Sequence, residues 1–98
     1  MLRNLFLGFI RIHILYHASK EPIYGLEIIE ELGRHGYKTS PGTIYPILHD
    51  LTEKGYLDCS PVNVEGKIRK YYSISESGRG VLQECRVKIR ELAGEIYE

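Results

Sequence analysis

Residues 40–55, SPGTIYPILHDLTEKG, decide the fold, because they form a helix with a signal at each end. Ser40 is a favourable N-cap, and Pro41 follows at the first helical position, where its missing N–H costs no hydrogen bond. Gly55 ends the helix where a left-handed residue is favoured. Pro46 removes a backbone hydrogen bond to residue 42, so we predict one helix to about Lys54 with a loose first turn. The apolar residues of its inner face are Ile44, Ile47, Leu48 and Leu51.

Two helices are predicted before this segment. The first covers about Leu2–Ala18, and its apolar residues surround most of the circumference, whereas a surface helix needs only one apolar stripe. The excess predicts burial against the domain's own core and also against a second surface. A polar break with a short extended piece at Ile23 follows. The second helix covers about Tyr24–His35 and ends at Gly36, with an inner face of Leu26, Ile28, Ile29 and Leu32.

Two strands are predicted after this segment, over Tyr56–Val62 and Ile68–Ile74, joined as a hairpin by Asn63–Lys67. The second strand alternates, with Ile68, Tyr72 and Ile74 on one face and Arg69, Tyr71 and Ser73 on the other. Pro61 in the first strand indicates the edge of the sheet, because proline cannot donate a ladder hydrogen bond.

A last helix is predicted from its N-cap Ser75 to near the C-terminus. Its apolar residues are spaced 3, 4, 3 and 4 apart, as in the seam of a coiled coil, and are Leu82, Cys85, Ile89, Leu92 and Ile96. The order helix, helix, helix, strand, strand, helix is that of a winged helix-turn-helix. We therefore predict an α+β, mostly α, single domain over 1–98, with a winged-helix core at 1–74 and a dimerisation helix at 75–98.

The composition limits the class of protein. The 98 residues carry 13 basic and 13 acidic side chains, so the formal net charge is zero. The apolar run Leu5–Ile10 is far shorter than the roughly 18 residues of a membrane span, and we expect a cytoplasmic protein. Cys59 and Cys85 form no CxxC motif, and we expect them reduced. Motifs for a catalytic nucleophile or a phosphate-binding glycine loop are missing, so neither an enzyme nor a cofactor is predicted.

Two segments are candidates for contact with DNA. In a helix-turn-helix, the first residues of the second helix enter the major groove. The exposed residues there are Thr39, Ser40, Gly42, Thr43, Tyr45 and His49. The hairpin adds the cations Lys67, Arg69 and Lys70, which can bind phosphates or lie along a minor groove. The alternatives are a capped surface helix and a sheet edge protected by charge.

The surplus apolar surface indicates a second copy of the chain. Packing the last helix against the partner's first and last helices would bury both surpluses in a two-fold dimer. The predicted interface residues are Leu5, Phe9, Leu82, Cys85, Ile89, Leu92 and Ile96. The alternative is a seam that packs wholly on its own domain. His13 and His17 share one face of the first helix, but no third metal ligand has motif spacing, so interface or surface histidines are the favoured interpretation.

Three blocks of the chain together resemble the PadR family of prokaryotic transcriptional regulators. They are YGLEI at 24–28, SPGTIYPIL at 40–48 followed by Leu51 and KGYL at 54–57, and RKYYSISESG at 69–78. The resemblance implies a winged-helix dimer, usually a repressor, on an inverted-repeat operator. It also implies a phosphate-contacting tyrosine at Tyr45 and a basic wing at Lys67, Arg69 and Lys70. The short tail is similar to that of the subgroup with a single C-terminal helix.

The sequence thus predicts a homodimeric DNA-binding regulator and leaves two alternatives open. One is a winged-helix module that binds protein and not DNA, which zero net charge favours. The other is a regulator that responds to a small molecule or a metal. Some relatives bind flat aromatic compounds with a tryptophan, and this chain has none.

Overall fold

The computed structural model describes residues 2–98, leaving Met1 of the predicted domain outside the described residues. The helices and strands, in chain order, are α1 Leu2–Lys20, β1 Ile23–Tyr24, α2 Gly25–Arg34, α3 Pro41–Glu53, β2 Leu57–Val64, β3 Lys67–Ile74 and α4 Glu76–Ile96. The strands form an antiparallel sheet in the order β1-β3-β2. This is the predicted winged-helix class, mostly helical. None of the helices in residues 2–98 is sufficiently long and apolar to cross a membrane.

The core lies between α1, α2, α3 and the inner face of the sheet. Its buried apolar residues are Ile10, Ile14, Leu15, Ala18, Ile23, Ile28, Leu32, Ile44, Ile47, Leu48, Leu51, Leu57, Tyr72, Ile74 and Leu82. All four predicted inner residues of α3 belong to it. The prediction for α2 was wrong at Leu26, which is 59% exposed. The buried positions of α2 are instead Gly25, Ile28 and Leu32, whose helical spacing turns Leu26 towards solvent.

The turn between α2 and α3 has Gly36 at the end of α2 and Ser40 at the N-cap of α3, as predicted. Gly36 has φ +88°, and the Tyr37 N–H donates to the carbonyl of Leu32 at 2.9 Å. Ser40 is extended and caps α3 through its backbone carbonyl, while its hydroxyl makes no capping bond. Pro46 lies inside α3 without breaking it. Pro46 has no N–H to donate to the carbonyl of Gly42. Both residues are exposed, so this carbonyl can accept a hydrogen bond from water instead.

The hairpin of β2 and β3, which we call the wing, is longer than predicted. Val64 pairs with Lys67, so the loop contains only Glu65 and Gly66, with φ of 52° and 84°. Two positive φ values in a two-residue loop are typical of a type I′ turn. Strand β2 is at the edge of the sheet, as Pro61 predicted. Ile68 shares a face of β3 with the buried Tyr72 and Ile74, but it is 65% exposed because the tip of the wing extends beyond the core.

Helix α4 is anchored to the core by its first turns, and its side chains after Leu82 are exposed or half-buried. The Ser75 hydroxyl accepts the Gly78 N–H at 2.9 Å, as expected of an N-cap. Gly78 is buried against the carbonyl of Tyr56, and Leu82 is in the core. Leu82, which was also predicted to lie in the dimer interface, is 3% exposed in the single chain, so little of its side chain is left for a partner. No residue after Leu82 is buried in the described chain.

Candidate nucleic-acid interface

An open groove of about 700 Å³ lies between the exposed side of α3, the start of α2 and the wing. Its lining residues are Tyr24, Gly25, Leu26, Tyr45, His49, Val64, Glu65, Lys67, Ile68, Arg69, Lys70 and Tyr72. We call this the wing groove. Burial raises the pKa of Tyr72 in its floor, with a further contribution from Cys59, so that hydroxyl stays protonated.

Tyr45 is held on one wall of the wing groove by a glycine. A Cβ atom at Gly25 would lie 2.5–2.6 Å from the ring and hydroxyl of Tyr45, far inside van der Waals contact. The Tyr-Gly sequence at 24–25 therefore lets α3 and its tyrosine approach the start of α2 closely. Tyr45 is 44% exposed, so the ring has free surface towards the groove.

Arg69 is positioned on the wing wall by an aromatic ring. Its guanidinium lies 4.1 Å from the ring centroid of Tyr24, a cation–π geometry. The Tyr24 ring meets Tyr71 edge-on at 5.5 Å, and Tyr24 and Tyr71 pair across β1 and β3. The Tyr71 side chain raises the pKa of Arg69, so the guanidinium is a permanent cation. Strand β1 thus positions the Arg69 guanidinium at the wing groove through the ring of Tyr24.

The charges at the groove are arranged to favour an anion. None of the wing cations Lys67, Arg69 and Lys70 forms an ion pair with a carboxylate within residues 2–98. The acidic side chains of α3 are paired along their own helix. Asp50 lies 3.1 Å from Lys54, and Glu53 lies 3.3 Å from His49. The wing groove carries these three cations against one carboxylate, that of Glu65 in the wing loop, so zero net charge conceals a local excess of positive charge there.

The structure brings together five of the nine residues proposed for DNA contact: Tyr45, His49, Lys67, Arg69 and Lys70. Ser40 and Gly42 are exposed at the start of α3, outside this groove. Thr39 and Thr43 line a different depression, beside α1. Thr39 is half-buried and its hydroxyl oxygen is buried without a hydrogen-bond partner in the described chain, so in this structure the hydroxyl does not face an outside ligand.

Sequence reasoning missed Tyr24, Gly25 and Leu26 as groove residues. Their place depends on β1 pairing with β3, a contact between segments almost fifty residues apart, which no local pattern predicts. One signal was available. The spacing of Gly25, Ile28 and Leu32 defines an inner face of α2 that leaves Leu26 outside.

The predicted dimer surface is largely exposed in the single chain. Leu5 and Phe9 of α1 and Ile89, Leu92 and Ile96 of α4 are all exposed, and Ile96 reaches 64%. Cys85 is half-buried. In residues 2–98, the exposed large apolar side chains of α1 and distal α4 have no core to cover them.

The transcriptional regulator PadR-like family matches residues 14–84 of this chain. The transcriptional regulator Rv3488 of Mycobacterium tuberculosis is 42% identical over 87 residues, which are 89% of this chain and 81% of that protein. The transcriptional activator GvpE of Haloferax mediterranei is 37% identical over 65 residues, 65% of this chain and 32% of that protein.

Two solved structures resemble the whole fold. A PadR-like transcription factor from Bacteroides fragilis superimposes with a TM-score of 0.86 at 28% identity, covering 97% of this chain and 93% of that one. A PadR family transcriptional regulator from Eggerthella lenta gives 0.86 at 29% identity, covering 98% and 85%.

Proposed function

Since the chain belongs to the PadR-like family of transcriptional regulators, we propose that it binds a palindromic DNA operator as a cytoplasmic homodimer and represses transcription. The family consists of transcriptional regulators, which confirms the prediction that the chain is not an enzyme. In this proposal residues 1–74 are the DNA-binding core and 75–98 the dimerisation helix, whose first turns also complete the core.

The wing groove is the observation that carries the proposal. With the start of α3 in a major groove and the wing towards the adjacent minor groove, the phosphates of the intervening strand pass over the wing groove. Tyr45 presents a hydroxyl to a phosphate, and the three wing cations present charge. His49, one helical turn after Tyr45, faces the base edges. Ser40 and Gly42 allow α3 to approach closely because their side chains are small.

The uncovered apolar side chains of α1 and α4 support the proposed dimer. A domain of this size buries only about two-thirds of its unfolded surface, so a second subunit adds a substantial apolar area. A two-fold axis at α4 presents two α3 helices, which must lie about 34 Å apart to meet successive major-groove faces. The operator is then an inverted repeat.

The salt dependence of binding tests the charge assignment. A duplex of about three helical turns is titrated with full-length protein between 50 and 200 mM salt, where each phosphate contact contributes about 0.9 to the slope of log K against log salt. Lys67→Ala and Arg69→Ala should each reduce the slope by about 1.8, because a dimer carries two copies. The control Lys88→Ala removes an exposed cation of α4, outside the groove, and should leave the slope unchanged.

Wing variants that keep the wild-type slope would refute this assignment. Failure of the folded wild type to bind the duplex even at about 50 mM salt would instead favour the alternative of a module that binds protein and not DNA. The sign of regulation is tested separately, by reporter transcription with and without the protein. One relative is named an activator, so a rise in transcription would replace repression while leaving the DNA-binding proposal intact.

A further inference from the structure

Three of the four histidines of the chain come together away from the wing groove. His13 and His17 lie on α1, and His35 follows the last turn of α2. One ring nitrogen of each lies within 4.8 Å of the corresponding nitrogens of the other two. The His13 and His35 rings are stacked with their centroids 4.6 Å apart. The third member, His35, has no sequence spacing that connects it to the pair on α1.

The fourth group at this cluster is a carboxylate. One oxygen of Glu31 lies 3.8 Å from His17 Nε2 and 3.7 Å from His35 Nε2. Its other oxygen accepts a hydrogen bond from the Arg34 guanidinium, which holds the carboxylate in this orientation. Three imidazoles and one carboxylate oxygen, from α1 and the C-terminal end of α2, therefore lie close together.

The cluster has an unpaired polar atom that a ligand would satisfy. His17 Nε2 is buried and has no hydrogen-bond partner in the described chain. A buried ring nitrogen without a hydrogen-bond partner destabilises the fold, and a bound ligand would remove that penalty.

We propose that His13, His17 and His35, with Glu31, bind one divalent transition-metal ion of the zinc class. Neutral imidazoles and a carboxylate suit Zn²⁺ or Co²⁺, whereas Mg²⁺ and Ca²⁺ require a shell of oxygens. Zn–N bonds of about 2.0–2.1 Å place tetrahedral ligands about 3.4 Å apart. The nitrogens must therefore close by at most about 1.4 Å. The exposed His35 and half-buried His13 can make this change by side-chain rotation.

The proposed ligands connect α1 with the C-terminal end of α2. A bound ion would fix the end of α2 to the middle of α1, immediately before the turn that leads into α3. Because a metal that binds the native state and not the unfolded chain shifts the folding equilibrium, occupancy should also raise the melting temperature. The site uses none of the wing-groove residues, so it stands whether or not the chain binds DNA.

The test is a titration of the purified full-length protein with Co²⁺, followed by visible absorption, with displacement by Zn²⁺. We expect one ion per chain, a spectrum typical of low-coordinate Co²⁺, and a higher melting temperature with Zn²⁺. His35→Gln should abolish all three, since this exposed residue is needed for the site and not for the core. Glu31→Gln should weaken binding about 10- to 100-fold, as expected for a group that orients or completes the metal shell.

The matched control is His49→Gln, which removes the one histidine outside the cluster and should leave Co²⁺ binding unchanged. Circular dichroism of each variant establishes that it is folded. Absence of Co²⁺ and Zn²⁺ binding in the folded wild type would overturn the proposal. So would Co²⁺ binding of unchanged affinity in His35→Gln, since the ion would then not depend on the cluster.

Discussion

The close approach of Gly25 to Tyr45 allows the proposed DNA interface to be tested while all its charged residues stay unchanged. In Gly25→Ala the new Cβ would lie 2.5 Å from the Tyr45 ring, and ordinary contact begins at 3.4 Å. The ring must therefore move outward by about 1 Å, which an exposed side chain can do. The free energy of unfolding should change by less than about 1 kcal/mol, because the strain is relieved and alanine favours the helix.

DNA binding should respond much more strongly than stability. A hydrogen bond to a charged group contributes about 1.5–3 kcal/mol, and a dimer loses two of them, so Kd should rise at least about 100-fold. The slope of log K against log salt should stay unchanged, because a neutral hydroxyl releases no counterion. This separates Gly25→Ala from the wing variants. The assay is fluorescence anisotropy of a labelled duplex, together with urea denaturation of each protein.

Two comparisons make the result decisive. Gly33→Ala changes a glycine of the same helix that has nothing within 4 Å of its Cβ position, and should leave Kd unchanged. In a Tyr45→Phe background, Gly25→Ala should cost no further affinity, because the hydroxyl is already gone. Equal affinity of Gly25→Ala and Gly33→Ala for DNA would refute the role of Tyr45 placement. Additive losses in the double variant would do the same.

Two further predictions concern α4. In Gly78→Ala the new Cβ would lie 2.1 Å from the carbonyl oxygen of Tyr56, which is backbone and cannot swing away, so urea denaturation should show a loss of at least about 1–3 kcal/mol. Gly80→Ala, with nothing within 4 Å, should gain up to about 1 kcal/mol, and equal stability of the two would contradict the packing of α4. Leu92→Lys on the apolar seam should convert a dimer to a monomer in sedimentation velocity. Val87→Lys, equally exposed but off the seam, should remain a dimer, and dissociation of both or neither would contradict the seam.

The order of elements was predictable because its signals act over a few residues. Gly36 and Gly55 end helices at positive φ, and Ser75 caps α4 with its side chain. The hairpin was predicted too short because a positive φ at Glu65, which a non-glycine residue rarely adopts, extends the pairing to Val64. Local chemistry thus predicted where the chain turns, though not how far each strand continues.

The groove was predictable only in part because it depends on how elements rotate against one another. The wing cations and Tyr45 lie on exposed faces that periodicity identifies. The burial of the Thr39 hydroxyl and the exposure of Leu26 depend on contacts with α1 and β1, which are distant in sequence. His35 joins the pair on α1 for the same reason.

Two-fold binding of duplex DNA through α3 and the wing is tested most directly by hydroxyl-radical footprinting of the protein on a duplex selected from a random-sequence pool. The account predicts two protected patches on one face of the DNA, related by two-fold symmetry and one helical turn apart, about 10–10.5 base pairs. It also predicts that Lys67→Ala loses protection at the phosphates beside each patch. A pool from which the folded dimer retains no duplex, or a single patch without symmetry, would contradict it.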